Sequence, residues 1–255
     1  MPEIVNHFIE NLLKDYLILK KPKDKNTAIW RYINFVKFMS LLQKRKLFFP
    51  KGVCLLDPFE GTTTKANISS RLSDYPHIPQ DIYEGTMKHM NVIKRCIYVN
   101  CWNISENEAN LMWESYMKEN FGVAIRSTFE RLSNCFQTNS NLRIRFGKVK
   151  YVDYNIDKFN ELVGYLFFLH KRKIYKYENE LRAMTILMEH EKHKISEEDF
   201  TITGIYIPVD LDILIEKIVV SPKAESWHID LVKSIMEEYN LKKNVGKSSL
   251  NEVPI

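Results

Sequence analysis

Tyr177-Glu178-Asn179-Glu180-Leu181-Arg182-Ala183-Met184-Thr185-Ile186-Leu187 joins an island of charge and aromatics to an apolar run. Leu181 to Leu187 reads as a strand, and the island sits where that strand follows a helix. In an extended segment side chains alternate, so Glu178 and Glu180 share one face. Two like charges about 7 Å apart raise each other's pKa unless a cation intervenes. That pattern suits general acid/base work or the steadying of a developing positive charge. The alternative is a salt-bridged strand end, with Arg182 or the basic run Lys171-Arg172-Lys173 neutralising both carboxylates.

Outward from this stretch, strands and helices alternate without regular βαβ spacing. Strands are expected at Ala28–Ile33, Leu47–Phe49, Cys96–Trp102, Val123–Ser127, within Leu142–Tyr151, at Thr203–Pro208 and at Ile215–Ser221. Helices are expected at 3–20, Phe35–Gln43, near 63–73 and 81–92, at 106–119, Phe129–Cys135, Asp157–Lys176 and Ser226–Tyr239. Ser105 with Glu108 reads as a capping box for the helix at 106–119, which Gly122 ends. The class implied is α+β, a mixed and mostly antiparallel sheet with packed helices. The divisions expected are an amphipathic N-terminal helix and link (1–25), one α+β domain (26–241) and a polar tail (242–255).

Composition narrows the function classes. The chain has 255 residues, 45% hydrophobic and 27% charged, which suits one large globular domain. Eight glycines form neither G-x-G-x-x-G nor a Walker-type loop. The net charge of +5 permits an anionic partner without requiring one. Cys54, Cys96, Cys101 and Cys135 form no C-x-x-C and read as reduced thiols. His190-Glu191-Lys192-His193 lacks the i, i+4 histidine pair of a zinc helix, so no metal is expected. No secretory leader and no membrane span are expected, since no apolar run approaches about 20 residues. The implied compartment is the cytoplasm.

Other islands carry candidate chemistry. Arg31, within Trp30-Arg31-Tyr32, can hold a phosphate or carboxylate through two parallel hydrogen bonds, or form a structural ion pair. Asp57-Pro58-Phe59-Glu60 either fixes a loop or sets a carboxylate at the mouth of a cleft. Trp113 and Tyr116 share a helix face, as core residues or as a shelf for a flat ring such as nicotinamide or a base. Ser127-Thr128 follows a buried strand, where hydroxyls often cap the next helix; no adjacent base makes Ser127 a nucleophile.

Taken in order, these islands resemble the bacterial domain of unknown function 2971 family. The resemblance rests on Trp30-Arg31-Tyr32, Leu47-Phe48-Phe49 through Glu60, Cys101-Trp102, Met112-Trp113 to Tyr116 and Gly122, Tyr177 to Arg182, and Ile218-Val219-Val220-Ser221-Pro222. It covers most of residues 28–240 and implies no activity. More distantly, the order Arg31, Ser127-Thr128, Glu178-x-Glu180 resembles the arginine class of ADP-ribosyltransferases. That likeness implies NAD as a substrate whose phosphates Arg31 holds and whose nicotinamide ribose Ser127 supports. It makes Glu180 the carboxylate that steadies the ribosyl cation and puts Glu178 near the acceptor. The expectation is an NAD-consuming transferase or glycohydrolase, a toxin or defence effector, with a protein or nucleic acid as possible acceptor. A non-catalytic nucleotide or nucleic-acid binding module is the alternative. Oligomeric state stays open.

Overall fold

The computed structural model describes residues 19–74, 76, 79–117, 121–136 and 142–251. The expected N-terminal helix lies almost wholly outside them, as does the end of the expected helix at 106–119. The helix expected near 63–73 runs through Lys65–Asp74.

A seven-stranded sheet organises the chain. Its strands are β1 (Ala28–Asn34), β3 (Ile97–Ile104), β4 (Gly122–Thr128), β5 (Arg145–Lys148), β8 (Glu180–Ile186), β10 (Lys217–Val220) and β11 (Asn244–Lys247), in the order β11-β10-β4-β1-β3-β8-β5. Every neighbouring pair is antiparallel except β10 with β11. Two small sheets join β2 (Lys46–Pro50) to β9 (Gly204–Pro208) and β6 (Lys150–Val152) to β7 (His170–Arg172). The result is the expected α+β fold.

Residues opposite one another in register share a face, so pairing sorts the core. Ile29, Ile33, Val123, Ile125, Trp102, Leu181 and Ile218 fall on one face, in the largest hydrophobic cluster. Four helices cover it: α1 (Phe35–Lys44), α5 (Phe129–Asn134), α6 (Leu211–Leu214) and α7 (Ser226–Glu238). Helix α1 starts where Asn34 accepts the Lys37 N–H at 3.0 Å and ends at Arg45 with φ of 50°.

The opposite face carries two separate clusters. Val99 and Met184 pack with Met90 and Ile93 of α3 (Gln80–Arg95) and with the run Val163–Leu169. Trp30, Tyr32 and Ala124 pack with Met112 and Trp113 of α4 (Asn110–Tyr116). Helix α2 (Lys65–Asp74) lies before α3.

Three local expectations are corrected. The long helix at Asp157–Lys176 is instead a 3-10 turn at Gly164–Phe168, strand β7 and a second 3-10 turn at Lys173–Glu178. Val163 through Lys171 are all buried in succession, whereas a helix on a sheet leaves one side in water. Ser105 does not open α4: Ala109 is its cap, and the Ser105 hydroxyl donates to the Asn107 carbonyl at 2.6 Å. Glu108 holds the C-terminal segment, accepting from Ser248 and Ser249 hydroxyls. Gly122 begins β4 rather than ending a helix, since a Cβ there would lie 2.5 Å from the Ile33 carbonyl oxygen. The polar tail also contributes β11, whose Val245 is buried against the main core.

Candidate functional site

β1 pairs with β4 along its whole length, and β3 with β8 from Ile97 to Asn103. β1 and β3 pair only at Ile29↔Ile104 and Trp30↔Asn103. Beyond that point the sheet splits. The split falls between the two clusters of the second face, and a cavity of about 460 Å³ occupies it. That volume lies within the usual range of ligand pockets.

One wall is a chain of buried charge. Glu180 and Arg182 stand two apart on β8 and so share a face. Arg182 grips Glu180 with Nε at 2.8 Å from Oε2 and Nη2 at 3.0 Å from Oε1. Its Nη1 donates to the Phe168 carbonyl at 2.9 Å and lies 2.5 Å from Glu60. Lys171, on β7, reaches Glu178 at 2.5 Å, Glu180 at 2.8 Å and Glu60 at 3.7 Å. At the rim Arg172 pairs with Asp57 at 2.9 Å. Glu178 is not extended, so the two glutamates do not share a face by strand alternation. It ends the second 3-10 turn, and Asn179 follows in the left-handed region with φ of 37°. The two glutamates meet because Lys171 bridges them.

The central cluster holds three carboxylates (Glu60, Glu178, Glu180) against two cations (Lys171, Arg182). One proton on the excess carboxylate balances it. Burial raises the Glu178 carboxyl, Glu180 beside it raises it further, and Lys171 only partly opposes them, leaving it at about 7. Burial also acts upward on Glu180, but Arg182 and Lys171 outweigh it and hold that carboxylate well below its usual range. Lys171 stays charged: burial lowers its pKa, but Glu180 and Glu60 more than restore it. The proton therefore resides on Glu178. Burial, with Glu180 nearby, pushes the Cys101 thiol far up, which removes it as a thiolate nucleophile.

The other wall carries Arg31. Its Nη1 donates to the Cys101 carbonyl at 2.7 Å, across the split, and its guanidinium carbon lies 5.9 Å from the centre of the Trp102 ring. No carboxylate among the described residues forms an ion pair with it, so the alternative of a structural ion pair is not found there. Burial lowers its pKa, yet an arginine remains charged. Lys37, at the start of α1, lines the same cavity. Tyr116 and Tyr177, each 43% exposed, stand on the lining as well.

The structure thus brings Arg31, Tyr116, Glu178 and Glu180 around one cavity. It does not bring Ser127 or Trp113 there. Ser127 is fully buried opposite Ile29, on the main-core face, and its hydroxyl donates to the Leu214 carbonyl at 2.5 Å. Trp113 is buried edge-to-face against Tyr32 at 4.9 Å, with Nε1 donating to Glu108 at 3.0 Å. Both belong to the framework, because each polar group is already spent. The basic run is spent too: Lys171 and Arg172 are paired as above, and Lys173 lies 3.5 Å from Asp157.

Three cavity residues carried no site signal in the sequence: Lys37, Asn103 and Tyr175. They are common residue types whose role depends on where β1 and β3 part. Among the described residues no group of three or more His, Cys, Asp or Glu side chains is placed to hold a metal ion, and no helix is long and apolar enough to cross a membrane. No protein-family model matches the chain, and no curated protein matches it.

Proposed function

We propose that the cleft binds a nucleotide, NAD in the first instance, and breaks the glycosidic bond at its ribose, as an NAD glycohydrolase or ADP-ribosyltransferase does. One observation carries the reading: an arginine without a carboxylate partner among the described residues and a glutamate that titrates near neutrality line the same aromatic-edged cavity. The guanidinium fits a phosphate by two parallel hydrogen bonds. Tyr116 and Tyr177 offer rings for a base or pyridine to stack on.

The chemical role falls to Glu178. Glu180 has both oxygens held by Arg182 and Lys171, so its part is to position that wall. Loss of nicotinamide leaves positive charge on the ribose, which the surplus carboxylate steadies. In its ionised form Glu178 takes the proton of the attacking water or acceptor hydroxyl. Activity should therefore rise with pH through about 7. The distant resemblance to ADP-ribosyltransferases supports the reading through the order of Arg31 and Glu178-x-Glu180. A cytoplasmic toxin or defence effector that depletes NAD would fit it.

The test is incubation with NAD and chromatographic measurement of free nicotinamide. The expected result is release that falls at least about 100-fold in Glu178→Gln. NAD binding without nicotinamide release would favour the second reading, a nucleotide-binding module. That reading draws on the same unpaired Arg31 and needs no chemistry from Glu178.

A further inference from the structure

Asn103 sits at the point where the sheet splits. It is the last residue of β3 paired with β1, opposite Trp30, and it stands opposite Glu180 on β8. Its side chain is 4% exposed and lines the cavity. The amide nitrogen donates to the Glu178 carbonyl at 2.7 Å. The amide oxygen is buried with no hydrogen-bond partner among the described residues. A flipped amide would set oxygen against the Glu178 carbonyl oxygen, acceptor against acceptor, so the orientation is fixed. The side chain keeps one unused capacity, that of an acceptor. An unsatisfied buried acceptor is costly, so a ligand supplying a donor there regains what the empty cleft forgoes.

Charge narrows the donor. Asn103 adjoins a wall whose two cations are already held by its own carboxylates and whose charge a proton on Glu178 balances, so a charged group gains no counter-ion there while phosphate is drawn to Arg31. We infer that Asn103 is a specificity-determining residue: its oxygen accepts a hydrogen bond from an uncharged N–H of the ligand, so the cleft prefers a carboxamide-bearing nucleotide to its ketone or carboxylate counterpart. This rests on the nucleotide reading and deepens it by naming the ligand class.

The experiment compares three dinucleotides on the unmodified chain by calorimetric titration: NAD, its 3-acetylpyridine analogue, which is neutral but lacks the N–H, and the nicotinic acid form. NAD is expected to bind roughly 10- to 100-fold more tightly than the acetylpyridine analogue, and the nicotinic acid form more weakly still. Asn103→Leu is expected to bring NAD and the acetylpyridine analogue within about threefold of each other. Should that variant fail to fold, the ligand series on the unmodified chain decides alone. Equal affinity for NAD and the ketone overturns the inference and leaves the nucleotide reading standing. No binding by any of the three overturns both.

Discussion

Arg31 and Arg182 line the same cleft from opposite walls, and their surroundings differ. Arg182 donates to Glu180 twice, to a carbonyl once, and lies against Glu60. Arg31 has a single carbonyl and an aromatic ring. A buried ion pair adds little net stability over an apolar replacement, but removing one partner leaves an uncompensated charge. The compensated arginine is therefore a structural fixture. The uncompensated one is where an external anion lowers the energy of the site.

The contrast can be broken by substitution. The largest expected effect is Arg182→Leu, which leaves Glu60 and Glu180 short of a cation and should cost about 3–5 kcal/mol in chemical denaturation. Glu180→Gln should also lower the melting temperature, because it removes the carboxylate charge that Arg182 and Lys171 both hold. An unchanged melting temperature would return Glu180 to the list of free catalytic groups.

Next in size is Arg31→Gln. It should weaken nucleotide binding about 100-fold while lowering stability by only about 1 kcal/mol, the worth of one hydrogen bond to a carbonyl. Titration and denaturation of the same preparation would check both numbers. A stability loss as great as that of Arg182→Leu would erase the distinction between the two arginines.

Glu178 sharpens the comparison through pH. Its folded pKa of about 7 lies above the ordinary glutamate value near 4.3. The unfolded chain then holds fewer protons than the folded one between these values, so stability falls as pH rises from about 4.3 to about 7. Glu180 acts with the opposite sign at lower pH: its folded pKa is depressed, so its contribution is present above about 4.3 and lost on further acidification. In Glu178→Gln the decline between pH 5 and pH 8 should flatten by on the order of 2 kcal/mol. A decline of the same size in the variant would place the titrating proton elsewhere. The smallest effect belongs to Lys37→Ala at the cleft rim, a two- to fivefold loss of nucleotide affinity that fades with added salt and leaves folding unchanged.

Much of the fold was legible because its signals are local. Ala28–Ile33, Cys96–Trp102 and Leu181–Leu187 carry strand-forming runs and Phe35–Gln43 keeps its apolar residues on one face, so β1, α1, β3 and β8 stand close to where those residues put them. Val163–Leu169 misled because its apolar residues fit a helical stripe, and only the neighbours that bury every one of them select a 3-10 turn. Val245 alone among polar residues gave no strand signal, although it pairs in parallel with Ile218. At the site, Glu178, Glu180 and Arg182 were legible as a charged island, and the salt-bridged alternative named the right cations. Asn103 was not legible, since its unsatisfied oxygen exists only once its nitrogen has found the Glu178 carbonyl 75 residues away.

By itself the sequence determined where most of the strands and helices run, and that carboxylates and guanidinium groups crowd a strand end. Tertiary structure alone decided which of those charges cancel. Arg172 meets Asp57 across 115 residues of chain, and Glu60 reaches Arg182 only after the sheet has closed around both. Spacing along a chain records distance in sequence, whereas charge compensation depends on distance in space. The cleft exists because β1 and β3 stop pairing after two residues, and that register is set by packing on both faces of the sheet.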